Sequence, residues 1–374
     1  MAVGKTFSVL IPDGESAYSY GAITCFSGVK GVKVFLMSDK KVHEMRWSNL
    51  VQKLLYYPKE HYDEQWINHI NEVCDQYDID VIMPTSEEGI KGMLKHSNAL
   101  NAVDKLSLLP PEDSFNIATN KIKLGKHLND YDINAPIDFQ IQPGDDYNRI
   151  ESEIGFPVIL KPAVDNNGGK GITTCNSTEA VSNFFEDHNI TIPYLVQEYI
   201  EGYDIDCSVL CKNGAVLAHT IQKGTMHGRT IYEPQLAFDF LENEKLLNIV
   251  KDLMKSLNWS GVAHVDLRYD SKTDTFKIIE ISPRFWGSVL ASMVTNVNFS
   301  YLSCRLILDK QLPEIDKQHY VSFVTTAGLW KHIKKNPMRL FYFTQLWNYT
   351  AVKYVIKDPL PVLYKVFRRI RRFF

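Results

Sequence analysis

The sequence lacks several things, and each absence removes a class of protein. No apolar run reaches the roughly 18 residues that a membrane-spanning helix requires. The opening "MAVGKTFSVLIPDGES" has neither the apolar core nor the cleavage site of a secretory leader, so a cytoplasmic protein is expected. No charge sign dominates: 41 Lys and Arg stand against 44 Asp and Glu, a net charge of −3, so nothing global points to nucleic acid. The six cysteines form no C-x-x-C pair. Cys207 and Cys211 are four apart, but no His or Cys pair follows at zinc spacing. Reduced, buried thiols are expected instead. There is no internal repeat, no low-complexity tract and no recognisable Ser-His-Asp or Cys-His arrangement. "GKT" at 4–6 lacks the upstream glycine of a P-loop and precedes a strand rather than a helix.

What is present is a soluble-type chain of 374 residues, 45% hydrophobic and 23% charged, long enough for two or three domains. Short apolar runs "FSVLI" (7–11), "KVFLMS" (33–38) and "DVIMPT" (80–85) alternate with helical stretches, one of them marked by Trp66, Ile67, Ile70 and Val73. That order predicts a parallel sheet with right-handed crossovers. Its strands end in "PDGES" and "PTSEEG", which places Glu15 and Ser86 where ligands commonly bind. Two plain polar turns would look the same. "LLPPEDSF" (108–115) marks a boundary, giving a first domain over 1–115. A single helix is expected over about 117–130. Further on, "FPVILKPA" (156–163) and "YLVQEYI" (194–200) read as strands. "DIDCSVLCKNGAVLAHTIQK" (204–223) reads as a hairpin turning at Asn213-Gly214. A helix is expected over about 243–257, then a strand pair.

Three elements carry chemistry. The first is "KPAVDNNGGKGI", where Lys161 ends a strand before Gly168, Gly169 and Gly171. Glycines let backbone N–H groups approach an anion, and lysine adds a charge suited to phosphate. A flexible hairpin loop is the ordinary alternative. The second is "LVQEYIEGYDID", whose strand end could meet an adenine edge through Gln197, Glu198, Tyr199 and Ile200. Asp204 and Asp206 follow, placed for ribose hydroxyls or simply for solvent. The third is the strand pair "GVAHVDLRYD" and "TFKIIEIS", joined by the short "SKTDT". A symmetric turn near Thr273 sets Asp266 opposite Glu280, on faces shared with His264, Arg268 and Ser282. Opposed like charges are destabilising. A divalent cation, a raised pKa, or a salt bridge with Arg268 or Arg284 would each resolve the conflict.

Taken in order, these elements resemble the ATP-grasp family over about residues 1–310, most closely its carboxylate–amine ligase branch, which includes D-aspartate ligase-like and carbamoyl-phosphate-synthase-like members. The resemblance implies an α/β and α+β protein. A parallel-sheet domain (1–115) would precede an ATP-grasp domain with antiparallel sheets (116–312), its glycine-loop subdomain over about 156–203. A helical extension (313–374) would follow. The resemblance also implies roles. Lys121, Lys161, Gly168, Gly169 and Gly171 would hold ATP phosphates. Gln197, Glu198, Tyr199 and Ile200 would hold adenine, and Asp204 the ribose. Asp266, Glu280 and Ser282 would hold Mg²⁺, with Mn²⁺ as an alternative. Arg284, with Lys161, would stabilise the transferring phosphoryl group. Ser282 departs from the family pattern, which usually has Asn there, and a hydroxyl is a shorter, weaker ligand.

The mechanism implied is activation of a substrate carboxylate as an acyl phosphate, followed by attack of an amine. An ATP-grasp phosphotransferase and a non-catalytic ATP sensor are the rival readings. Arg229 in "MHGRT" and Arg268 are further candidate substrate contacts. Small-molecule acid and amine partners are expected, and a homodimer is a family-level expectation. The final "DPLPVLYKVFRRIRRFF" is a basic amphipathic segment. Residues 361–374 would make weak membrane-surface or protein contact. A terminal helix packed on the body with a solvated basic face is the ordinary alternative.

Overall fold

In a computed structural model, residues 6–162, 171–188, 190–228, 233–315, 318–338 and 343–370 are described. The first sheet contains β1 (Phe7–Ile11), β2 (Val32–Ser38), β3 (Val51–Tyr56) and β4 (Val81–Ile82) in the order β3-β2-β1-β4, paired parallel throughout. Every residue of β1 is buried, which explains an apolar run rather than an alternation. Beside it, helix Glu64–Tyr77 starts at Asp63, whose carboxylate accepts from Trp66 N at 3.1 Å. This helix buries Trp66, Ile67, Ile70 and Val73, the positions its periodicity selects. The sequence reading omitted β3. It is an edge strand of half-exposed residues, Val-Gln-Lys-Leu-Leu-Tyr, and lacks a clean period of two.

The single helix expected over 117–130 is two, Glu112–Ala118 and Lys121–Asp130. Asn120 breaks it. Its backbone is extended, and its side-chain oxygen accepts from Ile122 N at 3.1 Å and Lys123 N at 3.0 Å. A short amide that caps so well competes with helix continuation. The break puts Lys121 in the first turn of the second helix.

A second sheet contains β5 (Asp138–Ile141), β6 (Val158–Pro162), β7 (Thr173–Cys175) and β8 (Tyr194–Glu198), ordered β5-β8-β6-β7 and antiparallel. The third and largest sheet contains β9 (Gly202–Lys212), β10 (Ala215–Met226), β11 (Ala237–Leu241), β12 (Gly261–Asp270), β13 (Thr275–Ser282) and β14 (Ser322–Val324), ordered β13-β12-β9-β10-β11-β14. The β9–β10 hairpin turns at Asn213 and Gly214, with φ of 48° and 80°, as an Asn-Gly pair favours. Helix Glu244–Ser256 covers this sheet with Leu246, Val250, Leu253 and Met254, packed among Trp259, Val265 and Ile278. The chain beyond residue 312 is not helical alone. Its β14 extends the large sheet by pairing with β11.

Two features join the first sheet to the rest. Val9, Ile11 and Met83 share one core with Phe285, Trp286, Phe299 and Leu302, which follow β13. At the start of β12, Gly261 has φ of 85°, and a Cβ there would lie 2.1 Å from the Leu108 carbonyl oxygen of the linker. All six cysteines are buried and unpaired, as expected. Among the described residues, no helix is long and apolar enough to cross a membrane.

Candidate active site

Lys121, Leu124, Asp138, Lys161, Gln197 and Ile278 line a narrow cleft between helix Lys121–Asp130, the second sheet and β13. Antiparallel pairing of β6 with β8 sets Ile159 against Gln197 and Lys161 against Leu195. Lys161 is 3% exposed, and its Nζ donates to Gln197 Oε1 at 3.0 Å. Gln197 Nε2 in turn donates to Asp138 Oδ2 at 3.2 Å. Burial raises the Asp138 carboxyl above its usual value, against the lowering effects of Gln197 and Lys161. The Lys161 ammonium is thus held in a buried polar chain with Gln197 and Asp138. Lys121 reaches the same region from the helix terminus, with its Nζ 3.3 Å from Glu280 Oε2.

On the large sheet, Asp266 pairs with Glu280 on β13; the turn sets Leu267 against Ile278, and a register shift between Asp266 and Leu267 brings Glu280 rather than Ile279 opposite Asp266. On its other side, Asp266 pairs with Asp206 of β9. His264 points to the same face, as period-two alternation requires. Its Nε2 lies 3.3 Å from Asp266 Oδ1 and 3.8 Å from Asp206 Oδ2. Nδ1 shares a 2.9 Å hydrogen bond with the Ser208 hydroxyl, and the ring stacks on Trp286 at 5.3 Å. One donor atom each from Asp206, His264 and Asp266 fall within 4.8 Å of one another. Desolvation, then the charges of Asp206 and Glu280, raise the Asp266 carboxyl well above its usual value. Burial pushes Asp206 up to about 7, against a hydrogen bond from Gln222 and aided by Asp204. Burial and nearby Arg284 push the His264 imidazole down to about 3. Neutral imidazole nitrogen and crowded carboxylate oxygens together form a donor set that fits a divalent cation.

Arg284 leaves the end of β13 and lies over Tyr18, with 3.9 Å from the guanidinium carbon to the ring centre. It also donates to the Phe285 carbonyl at 3.0 Å. Ser282 is brought opposite His264 across the ladder. Asp204 and Arg268 are cross-strand partners and form an ion pair, and Gln235 Nε2 donates to Asp204 Oδ2 at 3.2 Å. Arg268 Nε also donates to the Ile200 carbonyl at 2.6 Å, and the guanidinium carbon lies 5.9 Å from the Tyr199 ring centre. The Glu198 carboxylate is engaged with Lys277, at 2.9 Å, and with Ile137 N at 3.1 Å. The Glu198 side chain is thus already paired, while the strand-end backbone of Tyr199 and Ile200 follows it.

The remaining candidates lie apart or outside. Glu15 follows β1 and is paired with Lys59, and Tyr62 OH donates to it at 2.7 Å. Burial would raise its pKa, but these contacts outweigh burial and lower it. Ser86 is 4% exposed, donates to Asp13 Oδ2 at 2.5 Å and caps helix Glu87–Lys95 through Gly89 N at 3.0 Å. Gly171 has φ of 77°, a backbone conformation suited to glycine. Gly168, Gly169 and Arg229 lie outside the described residues. Sequence reasoning left out His264 as a ligand and Asp206 as part of the acidic group. Alternation along "DIDCS" and "AHVDLR" was visible, but the β9–β12 register that joins them was not.

The described site therefore holds a buried lysine in the second sheet and a carboxylate-and-imidazole cluster on the large sheet. Residues 118–288 match the ATP-grasp domain family, and the chain carries an ATP-grasp domain there. The carbamoyl phosphate synthase large chain of Thermoanaerobacter pseudethanolicus is 22% identical over 228 residues, covering 58% of this chain and 20% of that one. The chain thus spans about a fifth of the length of the curated relatives it matches. Among solved structures, N5-carboxyaminoimidazole synthetase from Staphylococcus aureus with ADP superposes with a TM-score of 0.66 at 14% identity, over 89% of this chain and 87% of that one. The L-amino acid ligase from Bacillus licheniformis gives 0.57 at 18% identity, over 82% and 74%. The biotin carboxylase domain dimer of the Hydrogenobacter thermophilus 2-oxoglutarate carboxylase, with MgADP and bicarbonate, gives 0.64 at 16%, over 85% and 74%.

Proposed function

We propose that the protein is an ATP-dependent ligase that activates a substrate carboxylate and joins it to an amine. The observation that carries this reading is the meeting of Lys121 with Glu280, itself opposite Asp266, next to the cleft that holds Lys161. Relatives and neighbours include a carbamoyl phosphate synthase and an L-amino acid ligase, which supports the same class. The division 1–115, 116–312 and 313–374 is proposed with it.

Lys161 and Lys121 hold the phosphate chain, with Gly168, Gly169 and Gly171 closing over it. Gln197 and the backbone of Glu198, Tyr199 and Ile200 line adenine, and Asp204 takes the ribose. Asp206, His264, Asp266, Glu280 and Ser282 would hold Mg²⁺ or Mn²⁺, which when bound supplies charge neutralisation on the phosphates. The substrate carboxylate oxygen bonds to the γ-phosphorus as the bond to the ADP oxygen breaks and its electron pair leaves with ADP. The amine nitrogen then bonds to the acyl carbon. Phosphate departs with the C–O electron pair, and the nitrogen loses a proton to solvent. Arg284 and Lys161 stabilise charge that develops at phosphorus, and positioning does most of the remaining work. Substrate selection falls to Glu15, Ser86, Arg229 and Arg268 or their neighbours.

The test is an ADP-release screen of the purified chain with Mg²⁺ against a matrix of carboxylates and amines. A ligase releases ADP above background only with a matched pair and yields the amide by mass. ADP release with a phosphorylated product and no amide would favour a phosphotransferase. ATP binding without turnover in any pairing would leave a sensor.

A further inference from the structure

We propose that the outward face of the last helix, Leu360–Ile370, docks on an anionic lipid surface. The helix is mounted with its apolar side turned to water. Leu360, Leu363, Val366 and Phe367 are 53%, 59%, 49% and 57% exposed. At helical geometry these four positions fall within an arc of roughly 120°. The other side faces the body. Pro361 is buried, Lys365 Nζ lies 3.1 Å from Glu44 Oε1, and the same ammonium sits 4.4 Å from the Tyr20 ring centre. Just ahead of the helix, buried Asp358 accepts from the Ser48 hydroxyl and from Asn49 N at 3.0 Å, and Asn49 Nδ2 donates to the Lys357 carbonyl at 2.7 Å. The usual amphipathic helix hides its apolar stripe against the core. This one is held by polar contacts and presents the stripe.

Charge identifies the occupant. From Leu360 onward the sequence has Lys365, Arg368, Arg369, Arg371 and Arg372 and no acid, on a chain whose net charge is −3. Arg368 is exposed, and the neighbouring turn Glu44–Trp47 adds exposed Arg46 and Trp47, the latter 51% exposed. Apolar side chains, an interfacial tryptophan and flanking arginines match a bilayer with anionic headgroups. A neutral apolar groove would give the arginines nothing to meet. No described helix can span a membrane, so the contact is peripheral.

The experiment is co-sedimentation of the full chain with phosphatidylcholine vesicles, with and without phosphatidylserine, over a salt series. Expected is binding to the phosphatidylserine vesicles that weakens as salt rises. Leu363→Glu with Phe367→Glu should abolish it, and Arg368→Gln should weaken it about fivefold, the worth of one basic residue near such a surface. Thermal unfolding of each variant, unchanged from wild type, shows that the body still folds. Equal sedimentation with neutral and anionic vesicles, none with either, or binding undiminished by the double substitution overturns the proposal. So does a double substitution that dissociates a dimer while leaving vesicle binding intact, since the face would then belong to a second copy. None of these readouts involves ATP, so failure here and failure of the ligase reading are separable.

Discussion

Asp266 faces Glu280 directly across the β12–β13 ladder, and Glu280 is ion-paired with Lys121. The arrangement stores repulsion in the metal-free protein, because Asp206 stands on the other side of Asp266. Asp266→Asn should therefore raise the thermal midpoint of chelator-treated protein. The same change should lower substrate-dependent ADP release by about a hundredfold or more. Differential scanning with and without Mg²⁺, alongside the ADP assay, checks both halves. A metal-free midpoint that falls instead would remove the electrostatic account of the pair.

The Asp206 carboxyl adds a pH signature. Its folded value, about 7, lies above the usual 3.8, so the folded state holds the proton longer than the unfolded one. Stability from this group is full below about 4 and is lost as pH rises towards 7. Other acids, such as Glu15 with its lowered value, contribute the opposite slope. The clean readout is thus the difference between wild type and Asp206→Asn across that window. It should grow in the variant's favour with rising pH and shrink at saturating Mg²⁺.

Lys161 is held in place before any nucleotide arrives. Lys161→Met keeps the length and removes the charge, leaving Gln197 and Asp138 to re-pair. A charged hydrogen bond is worth about 1.5–3 kcal/mol, so ATP affinity should fall roughly 10- to 150-fold. Calorimetric titration of ATP into the variant measures it, and unchanged circular dichroism excludes a folding defect.

Arg284 is expected to act on the rate rather than on ground-state binding. Arg284→Lys should lower kcat about a hundredfold while KM for ATP moves little. Tyr18→Ala removes the ring beneath the guanidinium and should cost a smaller share of kcat. A loss confined to KM would assign Arg284 to binding instead.

Local chemistry was the legible part of this molecule. The Asn213-Gly214 turn, the antiparallel pairing of β12 with β13 and the buried face of helix Glu64–Tyr77 all follow from residues close in sequence, although a register shift between Asp266 and Leu267 is what finally sets Asp266 opposite Glu280. The β9–β12 pairing does not. It joins strands separated by a hairpin, β11 and a helix, so the approach of Asp206 to His264 and Asp266 is set by tertiary pairing rather than by spacing. The helix break at Asn120 was readable in principle, because the residue is a strong cap, but the apolar period running past it hid the signal. Strand β3 gave no period to read. The glycine loop's Gly168 and Gly169 were chosen on composition, and their placement lies outside the described residues.

Tyr18 and Tyr20 give two distant cations a common footing. Arg284, from the end of the large sheet, rests on the first, and Lys365, from the last helix, rests on the second. A cation from the last helix and a cation from the end of the large sheet thus rest on rings only two residues apart in the chain.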